Sequence, residues 1–114
     1  MVDYSMCTQT ITVYRKAPEG IIRRVIEGCF LQWEEQTDFD QDGVLSERTF
    51  LLIQPGQEQL VFCGDRVFDG IGPKISLTDW EVFVPSAVAG LGEVNYTRVY
   101  RWEGEFCHTE AGRS

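Results

Sequence analysis

Residues 60–73 read LVFCGDRVFDGIGP. The apolar run Leu60-Val61-Phe62-Cys63 meets the turn pair Gly64-Asp65, and a second short run, Arg66-Val67-Phe68, alternates polar and apolar until Asp69-Gly70 and Gly72-Pro73 stop it. Gly admits turn dihedrals, Asp caps backbone donors and Pro removes one, so the stretch predicts strand, tight turn, strand, turn within a small β domain. Gly64, Asp65, Gly70, Gly72 and Pro73 are therefore assigned structural roles in turns, and the rest of the chain is read outward from them.

Upstream, residues 8–14 (TQTITVY) carry β-branched side chains at five positions, with Ile11 and Val13 facing one way, as a half-buried strand requires. Ala17-Pro18-Glu19-Gly20 ends it. Over residues 21–33, Ile21, Ile22, Val25 and Ile26 recur at helical spacing, but Gly28 opposes a helix. Strand is preferred, with Val25, Cys29, Leu31 and Trp33 on one face. Residues 34–46, EEQTDFDQDGVLS, read as an acidic, turn-rich loop, and residues 47–54 resume strand character before Pro55-Gly56.

Downstream, Thr78 and Glu81 stand three apart as in a capping box, which predicts a short helix within residues 76–85, with a strand over 80–84 as the alternative. Residues 86–92 form a connection. Residues 93–111 read as a hairpin turning at Glu103-Gly104, which sets Tyr100 opposite Cys107 and Val99 opposite His108. Residues 1–7 and 111–114 are expected to be tails. The whole predicts one mainly β domain, a small antiparallel barrel or sandwich of about six to seven strands with at most one short helix.

The chain has 114 residues, 43% hydrophobic and 25% charged, with 14 aromatics. That suits a single domain with its own core and argues against disorder. The formal charge of −8 repels phosphate and anionic lipid, so nonspecific nucleic-acid binding is not expected. The basic residues Arg15-Lys16, Arg23-Arg24, Arg98 and Arg101 read as solvated strand faces rather than an anion site. Cys7, Cys29, Cys63 and Cys107 lie far apart with no C-x-x-C pair, so no zinc or redox motif is present. The start, MVDYSMC, has neither a cationic nor an apolar region, and no window reaches the length of a membrane span. A protein made inside the cell, with reduced thiols and no membrane partner, is expected.

Asp38, Asp40, Asp42 and Gly43 match the opening of an EF-hand loop, yet the twelfth position, which should be a bidentate Glu, is Thr49. The three carboxylates remain weak cation candidates against the simpler reading of a solvated loop. Cys107 and His108 are strand neighbours pointing to opposite faces, so adjacency argues against a catalytic dyad. Asp65 and Asp69 are explained by turns before they are explained by glycosidase chemistry. Gly70-Ile71-Gly72 lacks the third Gly and the helix of a dinucleotide site. Trp33, Phe68, Trp80, Tyr96, Tyr100 and Trp102 could stack bases, but in an acidic chain they suit a core or a protein interface better. No catalytic residue, metal or cofactor is assigned.

The order of motifs resembles a family of small minor capsid or head-tail connector proteins of tailed bacteriophages and prophages. The residues that carry the resemblance are Ile11-Thr12-Val13-Tyr14, Gly64-Asp65-Arg66-Val67 with Gly70-x-Gly72-Pro73, Trp80 with Pro85, and Tyr100-Arg101-Trp102-x-Gly104 with His108-Thr109-Glu110-Ala111-Gly112. It implies a non-enzymatic virion protein, made in the bacterial host cytoplasm, that forms a homo-oligomeric ring and docks to portal or adaptor and tail proteins. It also implies a small β-barrel with an internal loop toward the DNA channel. By position that loop is residues 34–46, with Glu34, Glu35, Asp38, Asp40 and Asp42 as channel or interface candidates. The alternative is a ligand-binding barrel with a divalent-cation loop; a thiol hydrolase is a third reading.

Overall fold

The computed structural model describes residues 4–40 and 43–113, with the side chains of 4–34 and 49–113. The described chain is all strand and turn, with seven antiparallel strands: β1 (Gln9–Ala17), β2 (Gly20–Asp40), β3 (Gly43–Pro55), β4 (Arg66–Asp69), β5 (Leu91–Glu93), β6 (Tyr96–Trp102) and β7 (Glu105–Arg113). They form one sheet in the order β5-β4-β1-β2-β3-β7-β6. Its two edge strands, β5 and β6, are consecutive in the chain and joined only by Val94-Asn95, so the sheet curls into a half-barrel. The link is tied to both flanks: Gly64 N–H donates to Val94 O (2.9 Å), Val94 N–H to Asp65 O (2.9 Å) and Asn95 N–H to Gly112 O (2.8 Å).

The curl depends on β2, which belongs to both halves of the sheet. Its first half pairs with β1 as far as Cys29↔Gln9, and its second half pairs with β3 from Phe30↔Ile53 onward. The β1–β2 register slips between Gln9 and Ile11, and Gly28 sits there at φ +72, a left-handed conformation that favours glycine. The bulge corrects one expected face. Cys29, Leu31 and Trp33 do point inward, but on the near side of the bulge Ile26 is buried and Val25 is 38% exposed.

β1 is buried on both faces. Inside the curl, Ile11 and Val13 pack with Ile26, Cys29, Leu31, Phe50, Leu52, Val61, Val67, Val94 and Ala111. On the outside, Tyr14 packs with Phe83 and Leu91 under residues 70–90, which cross this face as an irregular strap. The strap is held by polar contacts. Thr12 Oγ1 donates to Gly70 O (2.8 Å) and accepts from Gly72 N–H (2.9 Å), Tyr14 O–H donates to Pro73 O (2.6 Å), and Arg23 donates to Gly72 O (2.5 Å). Gly72 is required there because a Cβ would overlap the Tyr14 hydroxyl.

Four expectations are corrected. Residues 60–62 lie outside the ladder and Cys63 is already in the turn, because side chains take the backbone groups of 60–62. Gln54 Oε1 accepts from Leu60 N–H (3.0 Å), Gln59 donates to Val61 O (2.8 Å), and Asp65 Oδ2 accepts from Phe62 N–H (2.9 Å). Residues 76–85 make isolated turns rather than a helix: Asp79, not Glu81, caps Ser76 N–H (2.9 Å), while Arg66 takes the carbonyls of Trp80 and Phe83 that a helix would use. The hairpin does turn at Glu103-Gly104, with positive φ at both, but an irregularity between Tyr100 and Arg101 shifts the register, so Tyr100 faces His108 and Val99 faces Thr109. Residues 111–113 are no tail, since they complete β7, pair with β3, and fully bury Ala111.

Candidate functional site

The expected acidic loop is instead a continuation of strand. Beyond Trp33↔Phe50, the β2–β3 ladder runs from Glu34↔Thr49 through Glu35↔Arg48 and Asp38↔Leu45 to Asp40↔Gly43. β1 leaves β2 at Cys29 and β7 leaves β3 at Phe50, so this ribbon has no flanking strand among the described residues. At about 3.3 Å per residue it extends about 20 Å from the sheet. Strand pairing here was not legible because the segment has few β-branched or aromatic residues and no apolar alternation; the ladder is inherited from the paired, apolar roots of β2 and β3. Glu34 is exposed at the root of the ribbon, and its carbonyl accepts from Thr49 Oγ1 at 3.5 Å. Glu35, Asp38 and Asp40 lie on the β2 backbone, their side chains outside the described residues, as is all of Asp42. By sequence, residues 34–49 carry six acids and one arginine, five net negative charges.

At the other end of β2 the inner core opens to solvent. Ile22 and Phe62, 47% and 41% exposed, border a depression of about 180 Å³ that Val13, Arg15, Arg24, Glu58, Gln59 and Leu60 also line. Cross-strand pairing explains the lining: Val13↔Arg24 and Arg15↔Ile22 are partners, so these side chains share the inner face beyond the Ile11↔Ile26 row, where Val13 is still buried but Arg24 and Ile22 are exposed. A wider, more open hollow of about 420 Å³ adjoins it through Arg15 and Phe62 and reaches Lys16 and Trp80.

The Gly64-Asp65 turn anchors this end. Asp65 is 2% exposed and accepts two bonds from Arg15, Nε at 2.8 Å and Nη2 at 2.7 Å, which holds the guanidinium pKa above its usual value. Arg15 in turn lies 4.4 Å over the Phe62 ring. Asp69 is turned elsewhere, accepting from Trp33 Nε1 at 3.4 Å, so the two aspartates do not form an acid pair. Gly64, Asp65, Gly70, Gly72 and Pro73 thus all stand in turns or strap anchors.

The outer face of β6 and β7 holds a further cluster that spacing alone did not reveal. His108 stacks on Tyr100 (4.6 Å between centroids), and its Nδ1 is 2.6 Å from Tyr4 Oη, which pins the N-terminal segment. Burial pushes the His108 pKa below its ordinary value. Glu110 accepts from both Tyr100 O–H (2.9 Å) and Tyr96 O–H (3.3 Å). Cys107 donates to Glu105 O (3.7 Å) and makes no dyad with His108. Cys29 is buried, and its thiol is pushed up to about 12 by desolvation. None of the four cysteines is in a disulfide. No group of three His, Cys, Asp or Glu able to hold a metal occurs among the described residues, and no helix there is long and apolar enough to cross a membrane.

The chain matches no family model, no curated protein and no solved structure.

Proposed function

We propose that this chain is a non-catalytic assembly subunit: a structural protein of a tailed-phage or prophage virion, of the minor capsid or head-tail connector type. It works by self-association and docking to portal or adaptor and tail proteins. The observation that carries the reading is the β2–β3 ribbon, acidic by sequence, a paired arm with no flanking strand among the described residues, mounted on a curled sheet. Such a ribbon alone is marginal in water and gains stability when another surface covers it. The depressions found are shallow and open, which suits macromolecular contact better than enclosure of a small substrate. The motif order from Ile11 to Gly112 supplies the virion part of the proposal. A negative arm beside passing DNA fits it physically, because repulsion keeps the polymer from sticking.

The cation-loop alternative has less support. An EF-hand wraps its ligands in a loop, whereas the backbone here is laddered up to Asp40↔Gly43. The test is composition of particles. Virions purified from a phage or induced prophage that carries this gene should contain the polypeptide in a small, fixed number of copies, and knockout should leave heads without tails. Its absence from particles, with normal tailed virions made without it, would overturn the proposal.

A further inference from the structure

β6 is the long open edge of the sheet. It stands last in the strand order, pairs with β7 on one side and has no strand on the other among the described residues, so one row of backbone groups along Tyr96–Trp102 is left without a ladder partner. The opposite edge offers no such row: β5 has three residues, and Leu91 and Gly92 are buried. β6 contains no proline, and the extra residue of the slip after Tyr100 is Cys107 on β7, so the alternation of β6 runs unbroken. Tyr96, Arg98, Tyr100 and Trp102 therefore share the outer face, where Tyr100 and Trp102 are 37% and 58% exposed. Glu110, the partner of Arg98 on β7, balances that guanidinium and accepts from both tyrosines.

We propose that β6 pairs antiparallel with β6 of a second copy of this chain, about a two-fold axis through Val99, so that the sheet continues from one molecule into the next. The occupant is argued from the pattern of the strand itself, which is its own complement. In the register that pairs all of Tyr96–Trp102, Val99 meets Val99, Tyr96 lies opposite Trp102, Arg98 opposite Tyr100 and Thr97 opposite Arg101. Every arginine then faces an aromatic ring or a hydroxyl, and the exposed Trp102 is covered by a ladder of aromatic and cationic side chains. A slip of two residues, the smallest that keeps both outer faces on one side, shortens the pairing in either direction, and in one direction it also sets Arg98 against Arg98. The contact is isologous and closes at two copies. The inference rests on the assembly reading above and names the surface by which the chain meets itself.

Sedimentation velocity on the full chain tests it, and wild type should show a monomer–dimer equilibrium. Thr97→Arg sets like charges opposite Arg101 twice per dimer and should weaken association about tenfold, whereas Thr97→Glu sets opposite charges there and should strengthen it by about as much. Net charge alone predicts the reverse order, since the arginine brings a chain of −8 nearer neutrality and the glutamate takes it further away. Far-UV circular dichroism verifies folding, and cysteine trapping decides should either variant not fold. Under copper-phenanthroline oxidation in a Cys63→Ser background, Val99→Cys should cross-link into a dimer, because residues at the axis lie about 4.5–5.5 Å apart between Cα atoms, within disulfide reach. Arg101→Cys in the same background, facing Thr97, should not. Oligomers that follow the net-charge order, or that fail to cross-link through Val99, would overturn this contact and leave the assembly reading standing. A chain that is monomeric at every concentration would overturn both.

Discussion

Replacing Asp65 by Ala removes the acceptor on which the central turn is built. Three hydrogen bonds end on that carboxylate, two from Arg15 and one from Phe62 N–H, and the side chain is 2% exposed. The charge pair alone is discounted, because the Arg15 side chain is 39% exposed and water can solvate the freed guanidinium, which leaves about 1 kcal/mol for it. The orphaned Phe62 N–H adds about 1–3 kcal/mol, for a total loss of about 2–4 kcal/mol. That is a large share of the 5–15 kcal/mol or so that holds a domain together. With a urea m-value of about 2 kcal/mol/M, the unfolding midpoint should fall by about 1–2 M. Asp65→Asn, which keeps an acceptor for Phe62, should lose less. A double-mutant cycle with Arg15→Met should give a coupling of about 1 kcal/mol. An Asp65→Ala midpoint within error of wild type would refute the assignment of this turn as the anchor of the open end.

Four further outcomes are expected. Tyr14→Phe, which deletes the bond to Pro73 O while leaving the ring against Phe83, should cost about 1–2 kcal/mol and speed hydrogen exchange across residues 70–90 before the strands themselves. His108 has its folded pKa lowered by burial, so the unfolded chain binds the extra proton first. Stability is full above about pH 6.5 and is lost as pH falls through the folded value, and His108→Gln should flatten that slope in acid-titrated unfolding. Alkylation of the native protein should reach exposed Cys63 first and buried Cys29 last; a Cys29 that reacts as fast as Cys63 would contradict its placement. Calorimetric titration with calcium should be flat, whereas binding abolished by Asp40→Ala would revive the cation-loop alternative.

What could be read from the residues were the elements whose local chemistry agrees with the fold. β1 shows its β-branched run, β6 and β7 show their hairpin, and Glu103-Gly104 adopts the left-handed pair that a tight turn needs. What could not be read were the places where a single backbone irregularity resets the alternation. The bulge at Gly28 moved Ile26 inward and Val25 outward, and the slip after Tyr100 brought His108 rather than Cys107 beneath its ring. Side-chain capture of backbone groups was equally hidden. Gln54, Asp65 and Arg66 reach six or more residues away or across a turn, and they keep residues 60–62 out of the ladder and residues 76–85 out of a helix. The glycine-rich turns and the acidic segment were visible as composition. That the acidic segment is a paired ribbon depends on strands that lie beyond it.

The proposed assembly role requires this curled sheet to join others like itself. Native mass spectrometry of the wild-type chain across a wide range of concentrations measures that without intermediaries. One discrete closed oligomer that grows at the expense of the monomer is expected; a monomer at every concentration would overturn the proposal.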